Sequence, residues 1–404
     1  VIGVEEARRR ILAPLATTGA ESVSLNEAWG RVLAQPVTAR LTQPPADVSA
    51  MDGYALHSTS GHAGAELTII GESPAGHPFR GLVQAGQAVR LFTGSVMPDG
   101  ADCVMLQEDV QRAADRITLS QPARAGAHIR PKGQDFVQGR ILLPETTRLG
   151  ARQIGLAAAA NHPWLSVRRR PVIAILATGD EITLPGEPMR PGGIVSSNSA
   201  MLAALVRAAG GEPTILPVAA DTPEAIAAAV RGAPIADLLV TTGGASVGDH
   251  DAVQAGLGLL GFTLDFWKIA MRPGKPMISG SVLQAGRPLP MLGLPGNPVS
   301  AFVCAVLFLA PAIERLLGLP GDAPRTVPAR AGAALRANDQ RADHLRASLV
   351  ATESGLVATP FERQDSGMLS ILTRADCLIV RAPHAPSVPA GAAIAVIMLP
   401  GMGL

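Results

Sequence analysis

Aromatic residues are scarce in this chain: Phe, Trp and Tyr make up 3 % of 404 residues, with a single Tyr. That shortage argues against the stacking surfaces by which proteins hold single-stranded nucleic acid. An excess of charge of one sign is missing too. There are 34 basic and 33 acidic side chains, for a formal net charge of +1. No global field therefore draws nucleic acid or an anionic membrane, and local basic clusters must carry any anion chemistry. The three cysteines, Cys103, Cys304 and Cys377, lie far apart, with no CxxC pair and no zinc-ligand spacing. Such usage points to a reduced cytoplasmic setting. The longest uninterrupted apolar stretch, Ala301 to Ala310, falls short of the roughly 20 residues needed to cross a bilayer. The first residues lack the charged-then-apolar pattern of a signal peptide. No GxxxxGK[ST] loop, no Ser-His-Asp arrangement and no ligand spacing among the eight histidines is found. The expectation is a soluble cytoplasmic protein that engages neither nucleic acid nor membrane.

What is present is apolar surface in quantity. Hydrophobic residues make up 47 % and charged residues 17 %, enough for more than one core at this length. Residues 4–17, "VEEARRRILAPLAT", have helical spacing that Pro14 ends or kinks. From about 35 to 143, short runs such as "ELTIIGE", "QAVRLFTG" and "DRITLS" alternate with Gly, Pro and Asp turns, which predicts a β-rich domain. Residues 149–161 are helical again, so the first helix and this one are expected to pack together around the β insertion. Strand and helix then alternate from "VRRRPVIAILATGDEI" to about Gly321, predicting a mainly parallel sheet covered on both faces. Within it, Asn198 is a candidate N-cap of "SNSAMLAALVRAAGG", and Gly210–Gly211 mark its stop. The last portion, 322–404, reads as a small β domain.

Ligands of open α/β sheets bind where strands end and helices begin. Three such junctions carry unusual residues: "ATGDE" (177–181), "TTGGASVGDHD" (241–251) and "GLPGNPVS" (293–300). In the last, Pro295, Gly296 and Asn297 precede Pro298, which suits a first helical turn. Gly296 permits close backbone approach, and the helix-start amides with Ser300 would receive an oxyanion. An ordinary capped helix is the plainer alternative. Gly243 and Gly244 leave room for a phosphate or a ring. "MRPGKP" sets Arg272 and Lys275 around a rigid turn suited to a tetrahedral oxyanion, or to a solvated loop. Asp180, Glu181, Asp221, Asp249 and Asp251 gather at the same sheet edge, where carboxylates beside phosphate suggest Mg²⁺. Capping of the "TPEA" helix is the alternative for Asp221. Upstream, Asp52 in "SAMDGYAL" and Thr93 in "LFTGSVMPDGADCV" sit in turns free of bulky neighbours.

Taken in order, "SAMDGYAL", "TGSVMPDGADCV", "RPKGQD", "ATGDE", "SSNSAML", "TTGGASVGDHD", "RPGKP", "LPGNPVS" and "QDSGML" closely resemble the bacterial MoeA family. These are the molybdopterin molybdenumtransferases, related to the E domain of gephyrin, and the resemblance runs essentially end to end. It implies a multidomain α/β chain. A split helical domain (1–42 and 139–167) would hold an inserted β-rich domain (43–138). An α/β/α molybdopterin-binding domain (168–321) and a C-terminal small β-barrel (322–404) would follow. The implied reaction inserts molybdate into adenylylated molybdopterin with Mg²⁺, releasing molybdenum cofactor and AMP. The implied assembly is a homodimer, with the cleft between the pterin-binding domain of one subunit and the β domain of the other. Molybdopterin adenylyltransferase and molybdoenzymes would be partners.

Carried over residue by residue, Asp52, Thr93, Asp135 and Glu181 match acidic or hydroxyl positions of that cleft, and Asp221 and Asp251 match the metal positions. Lys268, Arg272, Lys275, Ser300, Arg346 and Ser366 match positions around the oxyanion. The family commonly has Lys where this chain has Arg272, so a point donor becomes a planar fork. Two other readings stand beside this one: a molybdopterin adenylyltransferase, which shares the pterin-binding domain, and a non-catalytic scaffold of the gephyrin kind.

Overall fold

The computed structural model describes residues 1–74, 76–243, 252–353 and 355–399. Contacts divide the chain into two compact units, residues 22–167 and residues 1–21 with 168–404.

In the unit 22–167, six strands form one sheet in the order Cys103–Leu106, Gly53–Leu56, Gln87–Leu91, Glu66–Ser73, Arg116–Leu119, Val110–Ala113. Period-two alternation fills both faces: Tyr54 and Leu56 join Leu67, Ile117 and Leu119 on one side. Ala55 turns to Val89, Leu91 and Val104 on the other. The helix Ala151–Ala159 belongs to this unit and packs Ile154, Leu156 and Ala157 among Val23, Leu33, Leu165 and Val167.

The other unit is built on a six-stranded sheet. Its strands are β1 (Val172–Ala177), β2 (Glu212–Ile215), β3 (Leu238–Thr242), β4 (Thr263–Trp267), β5 (Ile278–Gln284) and β6 (Arg287–Leu294), in the order β2-β1-β3-β6-β5-β4. The first four run parallel, β5 pairs antiparallel with β6, and β4 pairs antiparallel with β5. The helices are α1 (Val4–Leu12), α2 (Asn198–Ala209), α3 (Pro223–Arg231), α4 (Ala252–Gly258) and α5 (Pro298–Leu316). Ala174, Leu176, Leu239 and Met291 pack under Ile226 and Val230 of α3 and Val253 and Leu257 of α4. The alternate residues Ile173, Ile175, Val240 and Leu292 are buried on the opposite face, which α2 and α5 cover.

Helix α5 is long and apolar enough to cross a membrane by composition alone, with mean hydropathy 1.9, yet 83 % of its most apolar stretch is buried in the protein. It is a core helix, with one π turn at Ala305–Leu309. Helix α1 packs against it, and Thr18 bonds the Leu316 carbonyl at its end. The expected partnership of α1 with the helix at 149–161 is thereby corrected: each lies in a different unit, and the apolar surface of α5 takes α1 instead.

Beyond α5, β7 (Thr326–Ala331), β8 (Ala342–Thr352), β9 (Gly355–Pro360), β10 (Cys377–Arg381) and β11 (Ala393–Met398) close into a five-stranded barrel in the order β8-β9-β7-β11-β10. Ala347, Ala358, Cys377, Ile379 and Val396 fill it. The two residues Met271–Arg272 pair alongside β8 and tie the "RPGKP" turn to the barrel.

Candidate active site

Registers across the sheet set Ala177 of β1 against Thr242 of β3, and Thr242 against Leu294 of β6. The three unusual junctions therefore leave the sheet side by side, with Thr178, Gly243 and Pro295 next along the chain. They enclose a cleft of about 430 Å³ lined by Thr178, Glu181, Asn198, Thr242, Gly243, Pro276, Pro295, Gly296 and Asn297, among others. Its floor is bare backbone. Gly243 has φ +96°, and a Cβ there would lie 2.6 Å from the Thr178 carbonyl oxygen; a Cβ on Gly296 would face the Gly243 Cα at 3.6 Å.

Asn198 is the first residue of α2, and Ser197 is its N-cap residue. The expected capping role is corrected because the Asn198 amide is used elsewhere. Its Nδ2 donates to Thr242 Oγ1 and to the Gly296 carbonyl, each at 2.7 Å. At the start of α5, Pro298 occupies the first turn as expected and Asn297 is the N-cap residue, but its side chain makes no capping bond. It donates instead to Ser366 Oγ at 3.0 Å, while the Val299 amide donates to the Ser366 carbonyl at 3.1 Å. One of the helix-start amides expected to face an anion is thus occupied by the "QDSG" loop. Ser300 is buried one residue further on.

The same loop leads to Arg346, whose Nη2 donates to the Asp365 carbonyl at 3.0 Å. Arg346 is only 1 % exposed and its Nε has no partner. Burial lowers its pKa from the ordinary arginine value, against the opposing pull of Asp343 and Asp365. A buried, incompletely bonded guanidinium is suited to an anion.

Arg272, matched by the resemblance to a position around the oxyanion, bonds to carboxylates. Its Nη2 lies 2.7 Å from Asp343 Oδ2 and its Nε 3.3 Å from Oδ1; Asp339 stands at 3.7 Å. Bonding to Asp343 holds its pKa above the ordinary value. Lys268 sets its Nζ 4.0 Å from the Trp267 ring centre, a cation–π arrangement. Lys275 is exposed on a turn pinned by Gly274, where φ is +109° and a Cβ would lie 2.5 Å from Cys304 Sγ. The buried Cys304 thiol is pushed up to about 12 by desolvation, and Cys103 and Cys377 likewise, so none supplies a thiolate near neutrality.

Among the acids, Glu181 borders the cleft. The Asp221 amide donates to Asp180 Oδ1 at 3.1 Å and the Asp180 amide to Asp221 Oδ2 at 3.4 Å, so the two carboxylates sit together. Thr222, not Asp221, caps α3 by accepting from the Ala225 amide at 3.3 Å. Gly244 and Asp251 lie outside the described residues. Among the described residues no three His, Cys, Asp or Glu side chains gather as a metal cage. Two exposed carboxylates fit Mg²⁺, which keeps waters and shares substrate oxygens.

In the other unit, Asp52 and Thr93 meet: Asp52 Oδ1 accepts from the Thr93 amide at 2.7 Å and its hydroxyl at 2.8 Å. Those bonds, the backbone one first, hold the carboxyl below the usual range. Asp135 is exposed in the turn before Phe136, its amide bonded to the Gln43 carbonyl. Asn198, Thr178, Thr242 and Asp343 were not foreseen as site residues; the signal for the first three was the place of "SSNSAML", "ATGDE" and "TTGGASVGDHD" in the ordered motif set, and Asp343 carried none.

Three family profiles match successive parts of the chain: the MoeA N-terminal region (domain I and II) over residues 2–161, a probable molybdopterin binding domain over 174–315, and the MoeA C-terminal region (domain IV) over 328–399. A molybdopterin molybdenumtransferase of Nostoc sp. is 38 % identical over 81 % of this chain and 77 % of its own. One from Haemophilus influenzae is 31 % identical over 98 % of both. A crystal structure of a molybdopterin biosynthesis MoeA protein from Pyrococcus horikoshii superposes with a TM-score of 0.83, at 29 % identity and covering 98 % of this chain and 99 % of that one. The strand-end cleft, the closed C-terminal barrel and these likenesses agree from one end to the other: the chain belongs to the MoeA family and serves molybdenum cofactor biosynthesis.

Proposed function

We propose that the chain is a molybdopterin molybdenumtransferase that inserts molybdate into adenylylated molybdopterin and releases molybdenum cofactor and AMP. The observation that carries this reading is the convergence of "ATGDE", "TTG" (241–243) and "LPGNP" on one cleft, joined through Asn297, Ser366 and Asp365 to the buried Arg346. Molybdate is a dianion. The substrate's dithiolene sulfurs displace two of its oxygens, which leave as water with protons from the thiols and solvent, while another water cleaves the phosphoanhydride and AMP departs. Crowded negative charge must be offset for these to meet, and preorganised cations in a water-poor site do that strongly. Arg346, Lys275 and Lys268 would supply the charge, Ser300 and Ser366 hydroxyl donors, and Glu181 a carboxylate to orient the attacking water. Asp221, with Asp180 beside it and Asp251 as the matching position further on, would hold Mg²⁺, which offsets phosphate charge when bound.

The proposal extends to a cytoplasmic homodimer of four-domain subunits, in which Asp52, Thr93 and Asp135 act on substrate held by the partner. Mixing the protein with adenylylated molybdopterin and Mg²⁺, then adding molybdate, is expected to release AMP in step with cofactor formation. Formation of the adenylate from ATP and molybdopterin, without molybdate-dependent AMP release, would identify an adenylyltransferase. No turnover in either assay would leave the scaffold reading.

A further inference from the structure

We infer that Asn198 and Thr178 read the ring of the bound heterocycle, accepting hydrogen bonds from its N–H and amino groups. The inference rests on the proposed use of this cleft for molybdopterin. The orientation of the Asn198 amide is fixed by its neighbours. The Gly296 carbonyl can only accept, so the Asn198 nitrogen must face it. The same nitrogen donates to Thr242 Oγ1, whose hydroxyl is directed to the Pro295 carbonyl at 3.5 Å. Asn198 Oδ1 is therefore an acceptor by necessity. It is buried without a hydrogen-bond partner, on a residue 9 % exposed.

Just past the end of β1, one strand away from Thr242, Thr178 is also 3 % exposed, and its Oγ1, a hydroxyl able to donate or accept, is buried without a partner. Both residues line the cleft. Native proteins rarely leave such oxygens unpaired, and each one calls for an explanation. Two on one cleft wall are explained together if the ligand brings the donors.

Oxyanions are excluded at Asn198 Oδ1, since fully ionised molybdate and phosphate oxygens only accept, and the Thr178 hydroxyl beside it is free to accept from the same ligand. A pterin presents a ring N–H and an exocyclic amine on one edge, which suits two neighbouring acceptors. The cleft would then have two chemically distinct parts. Asn198 and Thr178 select the ring, whereas Arg346 and Ser366 serve the anions.

The deciding variant is Thr178→Val, which keeps the shape and removes no hydrogen bond seen among the described residues. Its melting temperature without ligand should equal or exceed that of the unchanged protein, because a buried orphan hydroxyl becomes a methyl. Its Kd for metal-free molybdopterin, measured by calorimetry, should rise about tenfold, the loss of one net hydrogen bond. Asn198→Ala should weaken molybdopterin more, with circular dichroism and melting to confirm folding. Either variant binding molybdopterin as tightly as the unchanged protein overturns the inference and leaves the transferase reading intact. Failure of the unchanged protein to bind molybdopterin at all overturns both.

Discussion

Asp343 is buried and faces the Arg272 guanidinium at two points, while its neighbour His344 is buried with Nδ1 unpaired. The sequence showed that a fork stands where a point charge is usual at position 272; it did not show what the fork would grip. Asp343 lies 71 residues away, and only the pairing of Met271–Arg272 with β8 brings it near. His344 was invisible for the same reason. Burial lowers its pKa to about 4, opposed by Asp343 and by the Arg272 carbonyl. The folded state therefore resists a proton that the unfolded chain accepts from about pH 6.5 downward. Stability from neutral His344 is fully present above pH 6.5, declines as the pH falls, and stops declining below about 4. The total is about 3 kcal/mol at 1.36 kcal/mol per unit. His344→Gln, which cannot titrate, should lose less stability between pH 7 and 4.5 than the unchanged protein in urea unfolding. Equal losses would mean that His344 is already protonated in the fold.

At the scale of elements, the turn between Met271 and Pro276 depends on one residue without a side chain. Gly274 combines φ +109° with a site for Cβ only 2.5 Å from Cys304 Sγ on α5. Gly274→Ala must strain the backbone and push the turn off the helix. A destabilisation of about 1–3 kcal/mol is expected, together with a raised molybdate requirement as Lys275 is displaced. Normal molybdate use despite lower stability would detach the turn from the oxyanion. Elements were largely legible beforehand. The near-continuous apolar run 172–177 gave a buried parallel strand, Gly210 ended α2 with φ +99°, and Pro298 opened α5. The antiparallel pairing of β5 with β6 and with β4 was not legible, because these short runs carry no marker of direction. Nor were the partners of Asn198 and Asn297. Both look like caps locally, and both bond instead to groups 98 and 69 residues away. Local signals fix elements; tertiary contacts decide what a polar side chain at an element's end does.

At the scale of the whole molecule, the candidate residues divide between the two compact units. Asp52, Thr93 and Asp135 belong to residues 22–167, and the remaining candidates to residues 1–21 with 168–404. The proposed dimer would bring the two groups to one substrate from different subunits, and mixed dimers can test that. A two-fold dimer has two equivalent clefts, each taking one set of residues from each subunit. Pairing an Asp52→Ala subunit with an Asp221→Ala subunit puts both defects into one cleft and leaves the other whole. Either variant alone damages both clefts. Co-expressed subunits with different tags, purified through both tags in turn, should recover up to half the molybdate-dependent AMP release of the unchanged dimer. The two parent dimers should stay near background, with light scattering to establish that all three are dimers. If each cleft were built within one subunit, the mixed dimer would carry one defect in each and remain as inactive as its parents. A dimer that forms but recovers nothing therefore rejects the shared cleft, and a protein that is monomeric while active rejects it more directly.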